Sequence, residues 1–216
     1  MGAVEQRALR ADAQRNLERI LGAACEVLAE YGSEASVADI AERAGVGTAT
    51  IFRRFPTKDA LVTAVIAQRM AELVAQVGEA LAEPDPGKAF RGFMRTVAEY
   101  NVRDRCFCDA TGTDVFQEPA VAPLVGELFE GIEALLTRAQ AAGAVRKDVT
   151  AVDALVLVFA VAQSAHAVEH AAPDAWRRYL DLVLDGLRPE GAHRLSRRAP
   201  TLAELEQAKH RDRNLV

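Results

Sequence analysis

The chain has 216 residues, half of them hydrophobic but only 6% aromatic, and a formal net charge of −5. This length is enough for one substantial core or two small ones, and the acidic charge excludes a protein whose whole surface binds nucleic acid. Three cysteines do not make a disulfide framework, the N-terminus shows no signal-peptide pattern, and no run of 18 uncharged apolar residues occurs. We therefore expect a cytoplasmic protein with no membrane partner. Because sustained period-2 alternation is absent, we also expect an all-α fold.

The first predicted element is a helix preceded by an arm. Residues 1–11 have little apolar content, which predicts a flexible N-terminal arm. An apolar stripe with helical period then runs from Leu17 to Tyr31. Gly32 follows the stripe and is predicted to end the helix.

Two short helices joined by a glycine turn are predicted between Ser36 and Pro56. Ser36 and Asp39 have the spacing of a capping box, so a helix can begin at Ser36, and Gly45 is expected to stop it. Gly47 is expected to let the chain turn closely into the second helix. The side chains expected to point inward from this second helix are Val46, Ile51 and Phe55.

The opposite face of the second helix carries small polar, apolar and guanidinium groups. The residues expected on it are Thr48, Ala49, Thr50, Phe52 and Arg53. Such groups suit the DNA major groove, where thymine methyls and guanine O6 and N7 are read. Between Val46 and Lys58 the sequence also has three positive residues and no acid, which favours contact with phosphate.

The rest of the chain alternates predicted helices with breakers. Thr57 can cap a long helix whose apolar stripe reaches Leu81, and the Pro- and Gly-containing stretch 83–87 ends it. The later predicted segments are a helix around Phe90 to Tyr100, an irregular stretch over 104–118, helices over 119–142, 151–170 and 175–187, and a basic tail over 190–216.

Residues 10–66 resemble the DNA-binding domain of the TetR family of bacterial transcriptional regulators. The resemblance rests on the order and spacing of five stretches, residues 15–21, 24–32, 36–45, 47–56 and 57–61. Residues 143–148 and 176–189 are similar to segments of the ligand-binding half of actinobacterial members. At one position the chain departs from the family, which usually has a phosphate-binding Tyr where this sequence has Phe52.

The resemblance implies a helix-turn-helix three-helix domain over residues 12–58 and a ligand-binding and dimerisation domain over 59–189. It implies a non-enzymatic, cofactor-free and metal-free regulator, a ligand-responsive repressor that binds a palindromic operator in double-stranded DNA as a homodimer. The residues predicted to read bases are Thr48, Ala49, Thr50 and Arg53. Those predicted to position phosphates are Ser36, Arg54, Lys58, Arg10 and Arg15, and Gly47 and Phe52 are also predicted to lie at the DNA.

A pocket for a small hydrophobic effector is predicted in the second half of the chain, because aromatic residues gather there beside a few polar groups. The candidate lining residues are Phe90, Phe93, Met94, Val97, Phe107, Phe116, Phe129, Phe159, Gln163 and His166. Thr111 and Thr113 are further polar candidates. The sequence does not identify the effector or the operator.

Other interpretations of single motifs remain open at this stage. His166, Glu169 and His170 match the H-x-x-E-H pattern, so the alternative function is a zinc-dependent hydrolase. The motif ends a strongly apolar helix, however, which favours packing or pocket duty. Cys106 and Cys108 form either a redox-sensing pair or two buried small side chains. A third interpretation is a helix-turn-helix that contacts only proteins.

Overall fold

The structure is a computed structural model that describes residues 3–103, 114–168, 172–190 and 192–204. All regular elements in these ranges are helical, which confirms the all-α prediction. The α-helices are α1 (Ala3–Tyr31), α2 (Val37–Ala44), α3 (Thr48–Arg54), α4 (Lys58–Leu81), α5 (Pro86–Arg103), α6 (Ala122–Ala141), α7 (Ala151–Val168) and α8 (Ala175–Gly186). Short 3₁₀ turns lie at Gly32–Glu34 and Asp114–Gln117.

The predicted helix starts are confirmed by side-chain caps. The Thr57 hydroxyl accepts a hydrogen bond of 3.1 Å from the backbone N–H of Ala60, at the beginning of α4. The Thr150 hydroxyl accepts one of 3.2 Å from the N–H of Asp153, at the beginning of α7. Each cap satisfies a donor that the first helical turn leaves without a partner, so these polar residues fix where the helices begin.

The predicted flexible arm over residues 1–11 is wrong for its described part, because α1 begins at Ala3. Residues 3–10 are mostly Ala, Leu, Glu, Gln and Arg, which are strong helix formers, and no Gly or Pro occurs from Ala3 to Leu21. These residues therefore extend α1 to a length of 29 residues without adding to its apolar stripe.

The N-terminal core joins the first four helices. Ile20 and Leu28 of α1, Ile40 of α2, Ile51 of α3 and Leu61 of α4 are all at most 1% exposed and belong to one apolar cluster. Because α3 contributes a single fully buried side chain, most of its surface remains outside this core.

Helix α4 connects the two halves of the chain. Its buried side chains run from Leu61 to Val77, and it packs against α1, α5 and α6. Among the described helices it has the length and hydropathy of a membrane-crossing helix, with a mean hydropathy of 1.3, but its apolar stripe is part of the protein core. The predicted boundary between residues 58 and 59 falls in the first turn of α4, so both halves share this helix.

The C-terminal half is built around α5, which packs against α4, α6, α7 and α8. Arg138 of α6 donates hydrogen bonds to the carbonyls of Leu81 and Glu83, at 2.6 and 3.0 Å, and so caps the C-terminal end of α4. The tail is tied to the C-terminal half by one hydrogen bond: Arg146, between α6 and α7, donates to the carbonyl of His193.

The predicted effector-pocket residues have different environments. Phe90, Phe93, Met94 and Val97 are at most 2% exposed and pack in the core. Three others are half-buried: Phe116 on the 3₁₀ turn before α6, Phe129 on α6 and Phe159 on α7. The side chain of Gln163 on α7 is exposed, and its role in a pocket stays a prediction. Phe107 and the side chain of His166 lie outside the described residues.

Candidate nucleic-acid interface

The turn between α2 and α3 has the geometry of a helix-turn-helix. Gly45 adopts the left-handed conformation with φ of 64°, and the N–H of Val46 donates to the carbonyl of Ala41 at 3.0 Å. This closes α2 with the paired hydrogen bonds of a glycine C-cap. Gly47 is the N-cap of α3, but the turn does not require glycine there: its φ of −74° is open to any residue, and a Cβ would meet no atom within 4 Å.

Helix α3 turns most of its side chains to solvent. Ile51 is buried, and Phe55, directly after the helix, is 8% exposed, as predicted for the inward face. The side chains of Thr48, Ala49, Phe52, Arg53 and Arg54 are exposed, with Phe52 at 47%, and Thr50 is half-buried. The predicted outward face therefore exists as a continuous surface.

The predicted capping box at Ser36 is confirmed. The Ser36 hydroxyl accepts from the N–H of Asp39 at 3.1 Å, and the Asp39 carboxylate accepts from the backbone N–H of Ser36 at 3.1 Å. The Ser36 hydroxyl also donates to this carboxylate at 2.6 Å, and these bonds hold the pKa of Asp39 below its ordinary value. Ser36 thus fixes the start of α2, and its side chain is exposed there.

Ion pairs hold α2 against α1. The Arg43 guanidinium on α2 donates to the carboxylates of Glu26 and Glu30 on α1, at 3.1 Å each. The Arg43 partner also lowers the pKa of Glu30. All three groups are on the surface, so the pairs add little to the free energy of unfolding, but they restrict how α2 can rotate on α1.

A cleft of about 600 Å³ lies between α1 and α3. The side chains that line it from α3 are Thr50, Arg53 and Arg54, and those from α1 are Gln14, Asn16, Leu17 and Ile20. Amide and guanidinium donors thus face each other across an apolar floor. The sequence interpretation missed Gln14 and Asn16. The available signal was their position: both precede the buried stripe of α1 by about one helical turn. Because α3 lies beside the beginning of that stripe, residues just before it come close to α3.

The cationic residues predicted to contact DNA, whether bases or phosphates, differ in their present partners. In the described part of the chain, neither Arg53 nor Arg54 forms an ion pair, so both guanidinium groups are open to solvent. Lys58 is half-buried in the first turn of α4. Arg15 pairs with Asp12 on its own helix, and the side chain of Arg10 is outside the described residues.

Metal-ligating groups do not gather in the part of the chain that the structure describes: no set of three His, Cys, Asp or Glu side chains there could hold an ion. The H-x-x-E-H motif cannot be evaluated on this basis, because Glu169, His170 and the His166 side chain lie outside the described residues. Cys106 and Cys108 lie outside them too. Cys25, by contrast, is buried in the N-terminal core.

Two family models match the chain. Residues 20–65 match the model of bacterial regulatory proteins of the tetR family. Residues 85–189 match the model of the C-terminal domain of SbtR-like transcriptional regulators. The first match covers the α2–α3 turn and its core, and the second begins just before α5 and ends just after α8.

Known proteins similar to the chain agree with these matches. The crystal structure of a TetR transcriptional regulator from Streptomyces coelicolor is 34% identical, with a TM-score of 0.61, over 80% of this chain and 98% of that one. An uncharacterised HTH-type transcriptional regulator from Mycobacterium tuberculosis is 29% identical over 66% of this chain and 76% of that protein. FadR from Bacillus subtilis, solved in complex with stearoyl-CoA, shares the fold at 17% identity and a TM-score of 0.64, over 82% of this chain and all of that one. The chain belongs to the TetR family of bacterial transcriptional regulators.

Proposed function

We propose that the chain is a ligand-responsive repressor that binds a palindromic operator in double-stranded DNA as a homodimer. The observation that carries the proposal is the exposed face of α3, which joins small side chains to two guanidinium groups that have no acidic partner in the described structure. A regulator that acts on bacterial operator DNA would work in the cytoplasm.

The shape and chemistry of α3 support base reading in the major groove. Thr48, Ala49 and Thr50 present small groups that can approach base edges and thymine methyls, and Arg53 can donate two hydrogen bonds to one guanine. Arg54, with the α1 amides across the cleft, is suited to phosphate. Phe52 lacks the hydroxyl of the usual family Tyr, so it can contact only sugars, base edges or methyl groups.

The surface of α7 and α8 supports a dimer. Val156 on α7 is 37% exposed, and Tyr179 and Leu182 on α8 are 40% and 58% exposed. Tyr179 and Leu182 are three residues apart and so lie on one side of α8, and exposed apolar side chains of this kind are suited to contact with a second copy. A dimer is also what a seven-residue reading helix requires, because one copy spans too few base pairs to be specific.

The C-terminal half supports the ligand response. Its core is apolar and aromatic, and FadR from Bacillus subtilis, which shares this fold, was solved in complex with stearoyl-CoA, a ligand with a long apolar chain. The shared helix α4 offers a physical connection from this core to the reading helix. A ligand that favours one arrangement of α4 changes operator affinity by its differential affinity, typically about 1–3 kcal/mol.

The proposed function is not enzymatic. The hydrolase alternative depends on His166, Glu169 and His170, and neither the family models nor the relatives support it. Zinc content of protein purified without chelator is the direct measurement. We expect substoichiometric zinc and no peptide hydrolysis.

The test begins with selection of an operator from a random duplex pool and titration of that duplex by fluorescence anisotropy. Arg53→Ala should weaken operator binding by about 1–3 kcal/mol and relax the preference for operator over random duplex. Lys58→Ala should weaken all duplexes alike and reduce the salt slope by about one. Lys147→Ala is the matched control, because it removes an exposed positive charge between α6 and α7, away from the candidate interface. It should change neither the affinity for duplex DNA nor the salt slope.

Two outcomes would contradict the proposal. Selection of a single asymmetric site, or a monomer at micromolar concentration in sedimentation, would exclude a dimer on a palindrome. Equal loss of operator and random-duplex affinity in the Arg53 variant would remove its base-reading role.

A further inference from the structure

Among the residues that the structure describes, the buried side chains are apolar except that of Asn101 on α5, whose exposed fraction is 0%. It continues the buried stripe of Phe90, Met94 and Val97, at helical spacing along one face of α5. A polar residue at the end of an otherwise apolar stripe is unfavourable for stability unless its groups are paired.

The orientation of the Asn101 amide is fixed by one hydrogen bond. Its Nδ2 donates to the carbonyl of Val97 at 2.8 Å. Exchanging the amide nitrogen and oxygen would place two acceptors against each other, so the assignment follows from the contact itself. The carbonyl oxygen Oδ1 is then left buried without a donor.

The neighbouring polar residues of α5 contrast with Asn101, because they are paired. Tyr100 donates from its hydroxyl to Glu72 at 3.1 Å and accepts from Gln76 at 3.0 Å, both on α4. Glu99 accepts from Arg177 at 3.3 Å, at the side of α8. Successive residues of a helix are about 100° apart around its axis. Asn101 therefore points in a different direction from Tyr100 and Glu99, toward the bundle interior.

We propose that Asn101 Oδ1 is the polar anchor of the effector site, and that the effector is a neutral, mainly apolar molecule with a hydroxyl or N–H group that donates to it. The inference deepens the proposed ligand response and rests on it. An effector whose polar end is a carboxylate is disfavoured, because Oδ1 can only accept and a carboxylate would bring an unpaired charge into an apolar interior, where the one remaining N–H of Nδ2 is too little to compensate its desolvation.

The chemistry predicts a preference that can be measured with matched probes. A series of 4-alkylphenols should bind the purified full chain about tenfold more tightly than their methyl ethers, which have the same apolar shape but no donor. The corresponding 4-alkylbenzoates should bind no better than the ethers. Ligand-observed NMR titration without DNA gives the affinities.

Two variants locate the preference. Asn101→Leu keeps the branching at Cγ and the number of side-chain heavy atoms and removes the unpaired acceptor, so it should raise the thermal midpoint by a few degrees and abolish the difference between phenol and ether. Tyr100→Phe is the control on the adjacent position. It should lower the midpoint, because it removes paired hydrogen bonds, and leave the preference for phenols intact.

The outcomes are decisive because binding is measured apart from DNA. Equal affinities of phenols and ethers, no binding of either at the solubility limit of the phenols, or a lower midpoint in Asn101→Leu would overturn the inference. If phenols bind through Asn101 and operator affinity stays unchanged, the anchor is retained and the ligand-responsive part of the proposed function fails instead.

Discussion

The contact between Gly131 of α6 and Val77 of α4 determines how closely these helices approach. A Cβ added to Gly131 would lie 2.7 and 2.8 Å from the two methyl carbons of Val77. Both distances are ~1 Å short of ordinary carbon–carbon contact. Because both branches of Val77 face the glycine, a change of rotamer does not relieve the clash, and Gly131→Ala must push α4 and α6 apart.

We expect Gly131→Ala to lower the free energy of unfolding by about 1–3 kcal/mol, the usual cost of overpacking. Urea denaturation followed by helical circular dichroism measures it. Gly126→Ala on the same helix is the control: no atom lies within 4 Å of a Cβ there, so it should be neutral or stabilise by up to ~1 kcal/mol through helix propensity.

A double-mutant cycle decides whether the Val77 contact is the cause. Adding Val77→Ala removes the methyl groups that clash, so the two substitutions together should cost about 1–3 kcal/mol less than the sum of their separate effects. Since α4 also carries the DNA-binding half, operator affinity should change in Gly131→Ala and stay constant in Gly126→Ala. Additive effects, or equal stability of the two glycine variants, would refute the reasoning.

Three further predictions follow from the geometry. Gly45→Ala should cost about 1–2 kcal/mol by urea denaturation because of its positive φ, whereas Gly47→Ala should cost less than about 1 kcal/mol; equal losses would contradict the assigned turn geometry. The pKa of Asp39 is lowered from its ordinary 3.8 in the folded protein, so its stabilisation is present above that pH and lost as the pH falls through the folded value. Asp39→Ala should therefore flatten the decline of the urea midpoint in acid, and an unchanged decline would exclude this role. Leu182→Glu should yield folded monomers in sedimentation, while a persistent dimer would place the interface elsewhere.

Much of the fold was predictable because its signals are local. The capping box at Ser36, the glycine stop at Gly45 and the Thr57 cap each involve residues within four positions of one another, so spacing alone reveals them. The start of α1 at Ala3 was missed for the opposite reason: strong helix formers extend a helix without any periodic pattern.

The remaining features depend on how helices pack, which spacing does not encode. Gln14 and Asn16 became part of the candidate interface only because α3 lies beside α1. Which side of α7 faces the interior was not predictable either, because this helix is apolar on almost every side. Asn101 was not singled out, since a polar residue in a stripe is ordinarily read as a solvent position until the neighbouring helices are known to cover it.

The sharing of α4 by both halves has a consequence for how the protein folds and can be divided. Leu61, Val65 and Ile66 are fully buried, although they lie beyond residue 58, the predicted end of the DNA-binding domain. A fragment cut at that point would lose part of its own core, and a fragment extended to Leu81 would expose Leu73 and Val77. The predicted domain boundary is therefore not a folding boundary, and the halves should unfold in one cooperative transition.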